Sequence, residues 1–343
     1  MKAAIFSDQG GPEVLRYEDV ETPSVGDGEV LLRVFAAALN RLDLKAREGR
    51  PEVAPYPHIG GLDVAGEIVD VGPGVERSRV GDRVVVYPVI SCGSCDLCLA
   101  GDQALCDEQR VFGFQTQGGF AEYVAAPAAN VVTVPASSDM RAFAALPCAY
   151  LTAWRMVVTV AKLQADEVIL IHSVGSGVGS AALQISRYLG ARAVVTAGTD
   201  EKLGAAIDMG AERALNYHRE DVTQAALAAT DGRGVDVVVD TVGADTLETS
   251  LRSAAKNARL VTCGVTSGAV TELNIRYLYQ RQISVRGCVM GGKSELGSIV
   301  ALAAQGVLRP IVADVMPLRD IRAAHEALES RTRFGKVVLS VAE

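Results

Sequence analysis

The chain is poor in aromatic residues: they make up 5% of it, with a single Trp, and an aromatic-lined pocket is not evident. It has only four His, at 58, 172, 218 and 325, and they show no ligand spacing. His172, at the end of a buried strand, reads first as a satisfied core histidine and second as a group facing a cofactor. No apolar run reaches the roughly 20 residues a membrane span needs, and the N-terminus turns polar at Ser7-Asp8. The 33 basic residues are outnumbered by 41 acidic ones, for a net charge of −8, and they are scattered. Nucleic acids and anionic membranes need concentrated positive charge, so neither is expected as a partner. The expectation is a soluble, cytoplasmic protein acting on a small molecule.

What is present is glycine (34), apolar residues (49%) and a cluster of cysteines, in a 343-residue chain long enough for two domains. The first part is β-rich. Ala3–Phe6, Glu29–Phe35, Val64–Val71 and Asp82–Val86 are β-branched runs separated by turn signals such as Gly72-Pro73-Gly74. From Pro147 the texture alternates. A helix over Tyr150–Val160 precedes a buried strand, Asp166–His172, and a glycine turn leads into an apolar helical segment, 181–189. A strand at Ala191–Thr196, a helix at Glu201–Met209 and strands at Asp236–Asp240, Ala258–Gly264 and Ser284–Gly287 continue the pattern. Such alternation predicts a doubly wound parallel sheet covered on both faces. A last helix (Ile321–Glu329) and strand (Lys336–Val341) close the chain.

Cys92, Cys95, Cys98 and Cys106 form C-x2-C-x2-C-x7-C. Four thiolates at this spacing suit one tetrahedral Zn²⁺ with no open position, so the predicted role is structural; an iron–sulfur cluster is the rival. Gly175, Ser176, Gly177, Val178 and Gly179 follow a strand and open a helix. There, backbone N–H groups and the helix N-terminus can take a pyrophosphate. The motif is imperfect, because G-x-G-x-x-G requires glycine at 180 and Ser180 stands there. About 20 residues on, where NAD enzymes carry an acid for the ribose, the chain reads Ala197-Gly198-Thr199-Asp200-Glu201-Lys202. With no acid at the strand end and Lys202 close by, NADPH is favoured over NADH, although Lys202 reads equally as a solvated helix-start lysine.

Together with Gly118–Tyr123 and Gly335–Leu339, these motifs resemble the medium-chain dehydrogenase/reductase superfamily over essentially the whole chain. The resemblance implies a GroES-like β-barrel catalytic domain at 1–149, carrying the zinc loop at 90–107, a Rossmann dinucleotide domain at 150–289, and a return to the catalytic domain at 290–343. Zinc alcohol dehydrogenases of that superfamily hold a catalytic metal on a Cys, a His and a later Cys. The matching positions here are Asn40, Leu62 and Cys148. Asn40-x-x-Asp43, Gly198 with Lys202, and Asn216-Tyr217 are similar to the quinone oxidoreductase branch.

That likeness implies Gly198, Lys202 and Tyr217 around the 2′-phosphate and Thr152 at the nicotinamide. It also implies Val242, Gly264 and Val265 along the nicotinamide ribose and carboxamide, and Lys336 on a phosphate. The expected reaction is hydride transfer from NADPH to a quinone or an α,β-unsaturated carbonyl. Asn40 is the first candidate to stabilise the oxyanion through its amide NH₂, or else a loop asparagine. Asp43 is expected to anchor the loop, paired with Lys336, and Asp63 to belong to the same network. The alternatives are an alcohol or aldehyde dehydrogenase with a residual metal at Cys148 and Asp63, and a non-catalytic NADPH-binding sensor or structural protein. A homodimer or homotetramer is expected by analogy.

Overall fold

The computed structural model describes residues 1–49, 53 and 55–341. Two compact units emerge, one of residues 1–151 and 291–343, the other of 152–290.

The larger unit is built on a seven-stranded sheet. Its strand order is Val131–Thr133, Arg83–Val86, Asp63–Val71, Glu29–Ala38, Lys336–Ser340 and Val312–Pro317, and Tyr123–Pro127 also pairs with Glu29–Ala38. Alternation drives this sheet: Glu29–Ala38 buries every second residue over most of its length, and its inward side chains Val30, Leu32 and Val34 pack with Val64, Ile68, Val84 and Phe112. The pairing puts Ala38 opposite both Asp63 and Val338. The residues next to these partners, Asn40, Asp63 and Lys336, therefore crowd one end of three adjacent strands.

The other unit is a six-stranded sheet, parallel throughout. Its order is Arg213–Asn216, Arg192–Ala197, Val168–Ile171, Val235–Asp240, Ala254–Thr262, Ser284–Gly287, or 3-2-1-4-5-6 in chain order within the unit. That order reverses beside the first strand, which opens a crevice at the carboxyl ends of the first and fourth strands. Val168–Ile171 is buried throughout, as expected of a strand covered on both faces.

Several boundaries differ from the sequence-based expectation. The helix expected over Tyr150–Val160 begins at Pro147, which fits a first helical turn, runs to Trp154, and continues as a π-helix over Arg155–Val160. The fifth strand starts at Ala254 rather than Ala258, because the exposed Lys256-Asn257 pair lies within a strand that is buried on both sides of it, at Ala254-Ala255 and at Ala258.

Candidate cofactor turn, polar network and metal loop

In the parallel-sheet unit the chain leaves Val168–Ile171 through Ser173, at φ 57°, and enters the helix Gly177–Tyr188. Ser176 caps that helix, its hydroxyl accepting the N–H of Gly179 at 3.0 Å. The apparent fault in the glycine motif is resolved here. A Cβ on Gly179 would lie 2.4 Å from the Ser173 carbonyl oxygen and 2.8 Å from Val174 Cα. Gly179 therefore serves the close helix–strand packing for which the sequence pattern would use position 180, and Ser180 is free to be a buried serine.

At the end of the next strand, a Cβ on Gly198 would meet Tyr217 Oη at 2.6 Å and His218 Nε2 at 3.2 Å. Lys202 lies in the first turn of the following helix, capped by Thr199, and burial lowers its pKa. Of the acids nearby, Asp200 is held by Arg219 and Asn216, which keeps its carboxyl below the ordinary range. Gly198, Lys202 and Tyr217 thus gather at one strand end, with Arg219 as a cation that sequence spacing did not single out.

The loops after the fourth and fifth strands pack on each other. A Cβ on Gly264 would lie 2.1 Å from the Thr241 carbonyl oxygen, and Ser267 N–H donates to the Val242 carbonyl at 2.9 Å. Val242, Gly264 and the exposed Val265 are therefore neighbours. Thr152 is buried at the start of this unit. His172 is a core histidine, hydrogen-bonded to Ser250 at 3.0 Å.

In the larger unit, Lys336 Nζ donates to Asp63 Oδ2 at 2.9 Å and to Asn40 Oδ1 at 2.5 Å. Asn40 Nδ2 also donates to Asp63 Oδ2, at 2.9 Å, and Asp63 Oδ1 accepts the backbone N–H of Cys148 at 2.8 Å. Lys336 and Asp63 are 6% and 0% exposed at their side chains, so this is a buried ion pair whose carboxylate accepts three protein N–H groups.

Two expectations are corrected by this arrangement. Lys336 pairs with Asp63, not with Asp43, because Asp43 Oδ2 instead closes a capping box with the Asn40 backbone N–H at 2.7 Å. The Lys336 ammonium, expected on a phosphate, gives two of its three N–H donors to Asn40 and Asp63. The Asn40 amide is not poised to stabilise an oxyanion, since its hydrogens point to Asp63 and to the Ala38 carbonyl. Asp43 is fully enclosed, its Oδ1 has no hydrogen-bond partner, and burial raises its carboxyl to about 7.

The thiols of Cys92, Cys95, Cys98 and Cys106 lie within 4.8 Å of one another, and Cys92 and Cys98 Sγ are 3.8 Å apart. A tetrahedral ion with bonds of about 2.3 Å requires sulfurs about 3.8 Å apart, so the donor set fits zinc. Hydrogen bonds from Ser94 and from the Cys95 backbone bring the Cys92 thiol down to about 6, towards the thiolate a metal binds. Among the described residues this is the one group of three or more His, Cys, Asp or Glu able to share an ion.

The six-stranded doubly wound unit, with a glycine turn at its crevice, has the architecture of a dinucleotide-binding domain. Family models agree: residues 26–136 match the alcohol dehydrogenase GroES-like domain and 177–305 the zinc-binding dehydrogenase domain. The chain is 32% identical to a quinone oxidoreductase of Lama guanicoe, over 99% of this chain and 97% of the relative. It is 29% identical to an acryloyl-coenzyme A reductase of Metallosphaera sedula, over 99% and 100%. A crystal structure of an NAD-dependent alcohol dehydrogenase superposes with a TM-score of 0.95 at 39% identity, covering 100% of both chains. The chain belongs to the medium-chain dehydrogenase/reductase superfamily of NAD(P)-dependent oxidoreductases.

Proposed function

We propose that this oxidoreductase reduces a quinone or an α,β-unsaturated carbonyl with NADPH, without catalytic zinc, and that its four-cysteine loop carries one structural zinc. The observation that carries the reading is the Asn40–Lys336–Asp63 network. Where a zinc alcohol dehydrogenase places thiolate and imidazole, this chain has Asn40 and Leu62, and Asn40 and Asp63 hold an ammonium. Asp63 already accepts three protein N–H groups, one of them from an ammonium, so a metal on Cys148 and Asp63 would have to compete with the positive charge of Lys336.

Bound nicotinamide supplies the hydride; the protein's part is placement and electrostatics. The first turn of Gly177–Tyr188 offers backbone N–H groups and the positive end of the helix dipole to the pyrophosphate. Gly198 leaves room for a 2′-phosphate beside Tyr217 and Lys202, with the Asp200 charge balanced by Arg219. Val242 and Gly264-Val265 form the wall along the nicotinamide end. Lys336 balances the charge of Asp63. The acceptors this suits are those already electron-poor, which quinones and enones are. The relatives named for quinone and acryloyl-coenzyme A reduction support that choice.

The test is elemental analysis of desalted protein together with NADPH oxidation by a quinone and by an enone. One zinc per chain, turnover on either acceptor, and loss of zinc in Cys98→Ser are expected. Two zincs per chain with alcohol oxidation that chelators abolish would overturn the reading, and NADPH binding without turnover on either acceptor would point to a sensor.

A further inference from the structure

A chain of buried hydrogen bonds joins the two loops of the parallel-sheet unit that flank the crevice. It starts at Ser173 N–H, the first residue of the glycine turn, which donates to Thr196 Oγ1 at 3.3 Å. Thr196 Oγ1 lies 3.5 Å from His172 Nδ1, His172 Nε2 lies 3.0 Å from Ser250 Oγ, and Ser250 Oγ donates to Asp240 Oδ2 at 2.9 Å. Asp240 then holds the other loop. Its Oδ1 accepts the N–H groups of Val242 at 2.9 Å and Gly243 at 3.0 Å, and Thr246 Oγ1 bridges both oxygens at 2.9 and 2.8 Å. Thr196, His172, Ser250 and Asp240 are each no more than 3% exposed.

The donors leave one arrangement of protons. A carboxylate only accepts, so the Ser250 hydroxyl gives its hydrogen to Asp240 and its oxygen accepts from His172 Nε2–H. His172 Nδ1 is then a lone pair facing the Thr196 hydroxyl, whose oxygen receives the Ser173 N–H. Every hydrogen bond runs in one direction, towards Asp240, and such aligned chains reinforce each other. His172 must be neutral for this to hold, and burial lowers its pKa accordingly.

We propose that Ser250, His172 and Thr196 are positioning residues that tie the Val242–Gly243 loop to the glycine turn, so that the pyrophosphate and nicotinamide ends of the crevice are held as one piece. The proposal rests on the reading of that turn as the dinucleotide seat. It goes beyond that reading by assigning cofactor positioning to residues that touch no cofactor. Ser173 is the natural point of purchase: it is a non-glycine residue in the left-handed region, and its N–H is fixed by the chain.

Ser250→Ala cuts the chain in the middle and leaves the Asp240 bonds to Val242, Gly243 and Thr246 intact. Thr196→Val, nearly isosteric, cuts it beside the turn. The probe is 2′-phospho-ADP-ribose, which carries the pyrophosphate and lacks nicotinamide, titrated calorimetrically into the intact protein well below its melting temperature. Both variants are expected to raise its Kd about five-fold or more, the low end of coupling between linked sites. In ¹⁵N spectra of the wild-type protein, His172 is expected as the neutral Nε2–H tautomer, a signature that a merely space-filling histidine does not require. An unchanged Kd in folded Ser250→Ala and Thr196→Val, or an Nδ1–H tautomer, overturns the proposal; should Ser250→Ala not fold, Thr196→Val decides. Failure of the wild-type protein to bind the probe would overturn the dinucleotide reading itself, an outcome distinct from equal binding by wild type and variants.

Discussion

Replacing Lys336 by Met removes the charge of a buried ion pair while keeping most of the side chain's volume. Breaking such a pair by removing one partner costs about 3–5 kcal/mol, because the other charge stays buried and uncompensated. Asp63 keeps two donors after the change, Asn40 Nδ2 at 2.9 Å and Cys148 N–H at 2.8 Å, which places the cost near the lower figure, about 3 kcal/mol. Domains of about 150–250 residues lose about 2–4 °C in Tm per kcal/mol, so the transition of the larger unit should fall by about 6–12 °C. The decisive comparison is the double variant Lys336→Met/Asp63→Asn, read by calorimetry at pH 7. With both charges gone, the remaining amides can still bond each other, and most of the loss should be recovered. A single variant that melts within about 2 °C of the wild type, or a double variant whose loss is the sum of the two singles, would refute the idea of an electrostatically coupled pair.

Two further expectations concern the acid in the capping box and the cofactor choice. Asp43 sits at about 7 in the fold, above its ordinary value near 3.8, so the folded state holds its proton more tightly than the unfolded chain. Stability from this group is complete below pH 4 and is lost as pH rises towards 7. Asp43→Asn, which keeps an acceptor for the Asn40 N–H, should therefore gain Tm relative to wild type progressively from pH 4 to pH 7, by an amount on the order of 4 kcal/mol at the top of that window. A difference that stays flat with pH would show that Asp43 is ionised in both states. Gly198→Asp places a carboxylate at the strand end and displaces Tyr217 Oη, which lies 2.6 Å from the new Cβ. It should cut kcat/KM for NADPH at least ten-fold while sparing NADH, and an unaltered ratio of the two would remove Gly198 from the 2′-phosphate site.

How legible the molecule was in its sequence depended on how local each signal is. The doubly wound sheet was readable because near-continuous apolar strands such as Val168–Ile171 and Val235–Asp240 alternate with helices, and the final helix lies at Ile321–Glu329 as expected. The cysteine loop was readable because its donors lie within 15 positions of one another. The Lys336–Asp63 pair was not, since its partners are 273 positions apart and the choice of Asp63 over Asp43 depends on strand pairing. Asn40 was misread for a related reason. Sequence shows that an amide replaces a zinc ligand, but not that the amide turns back towards Ala38 and Asp63. The Ser180 substitution misled in the other direction: a one-residue offset looks like damage in a text pattern, while in space Gly179 makes the close approach.

The Asn40–Lys336–Asp63 network is what supports the proposal of a zinc-independent reaction centre in a member of a superfamily that includes zinc dehydrogenases. A metal site and a buried ion pair face the same electrostatic problem, which is to keep carboxylate charge inside a barrel end without water. Zinc solves it with a divalent charge and needs thiolate or imidazole donors; Lys336 solves it with one positive charge and needs only Asp63 and the Asn40 carbonyl. In this chain a cation arrives at the ends of the strands that carry Asn40 and Asp63. The Lys336–Ser340 strand delivers one because it pairs beside Glu29–Ala38, whose other neighbour begins at Asp63. Restoring Cys at 40 and His at 62 alone should then fail to create a zinc site, because the ammonium of Lys336 would still occupy the network. Only variants that also remove Lys336 are expected to take up a second zinc, as read by metal content per chain.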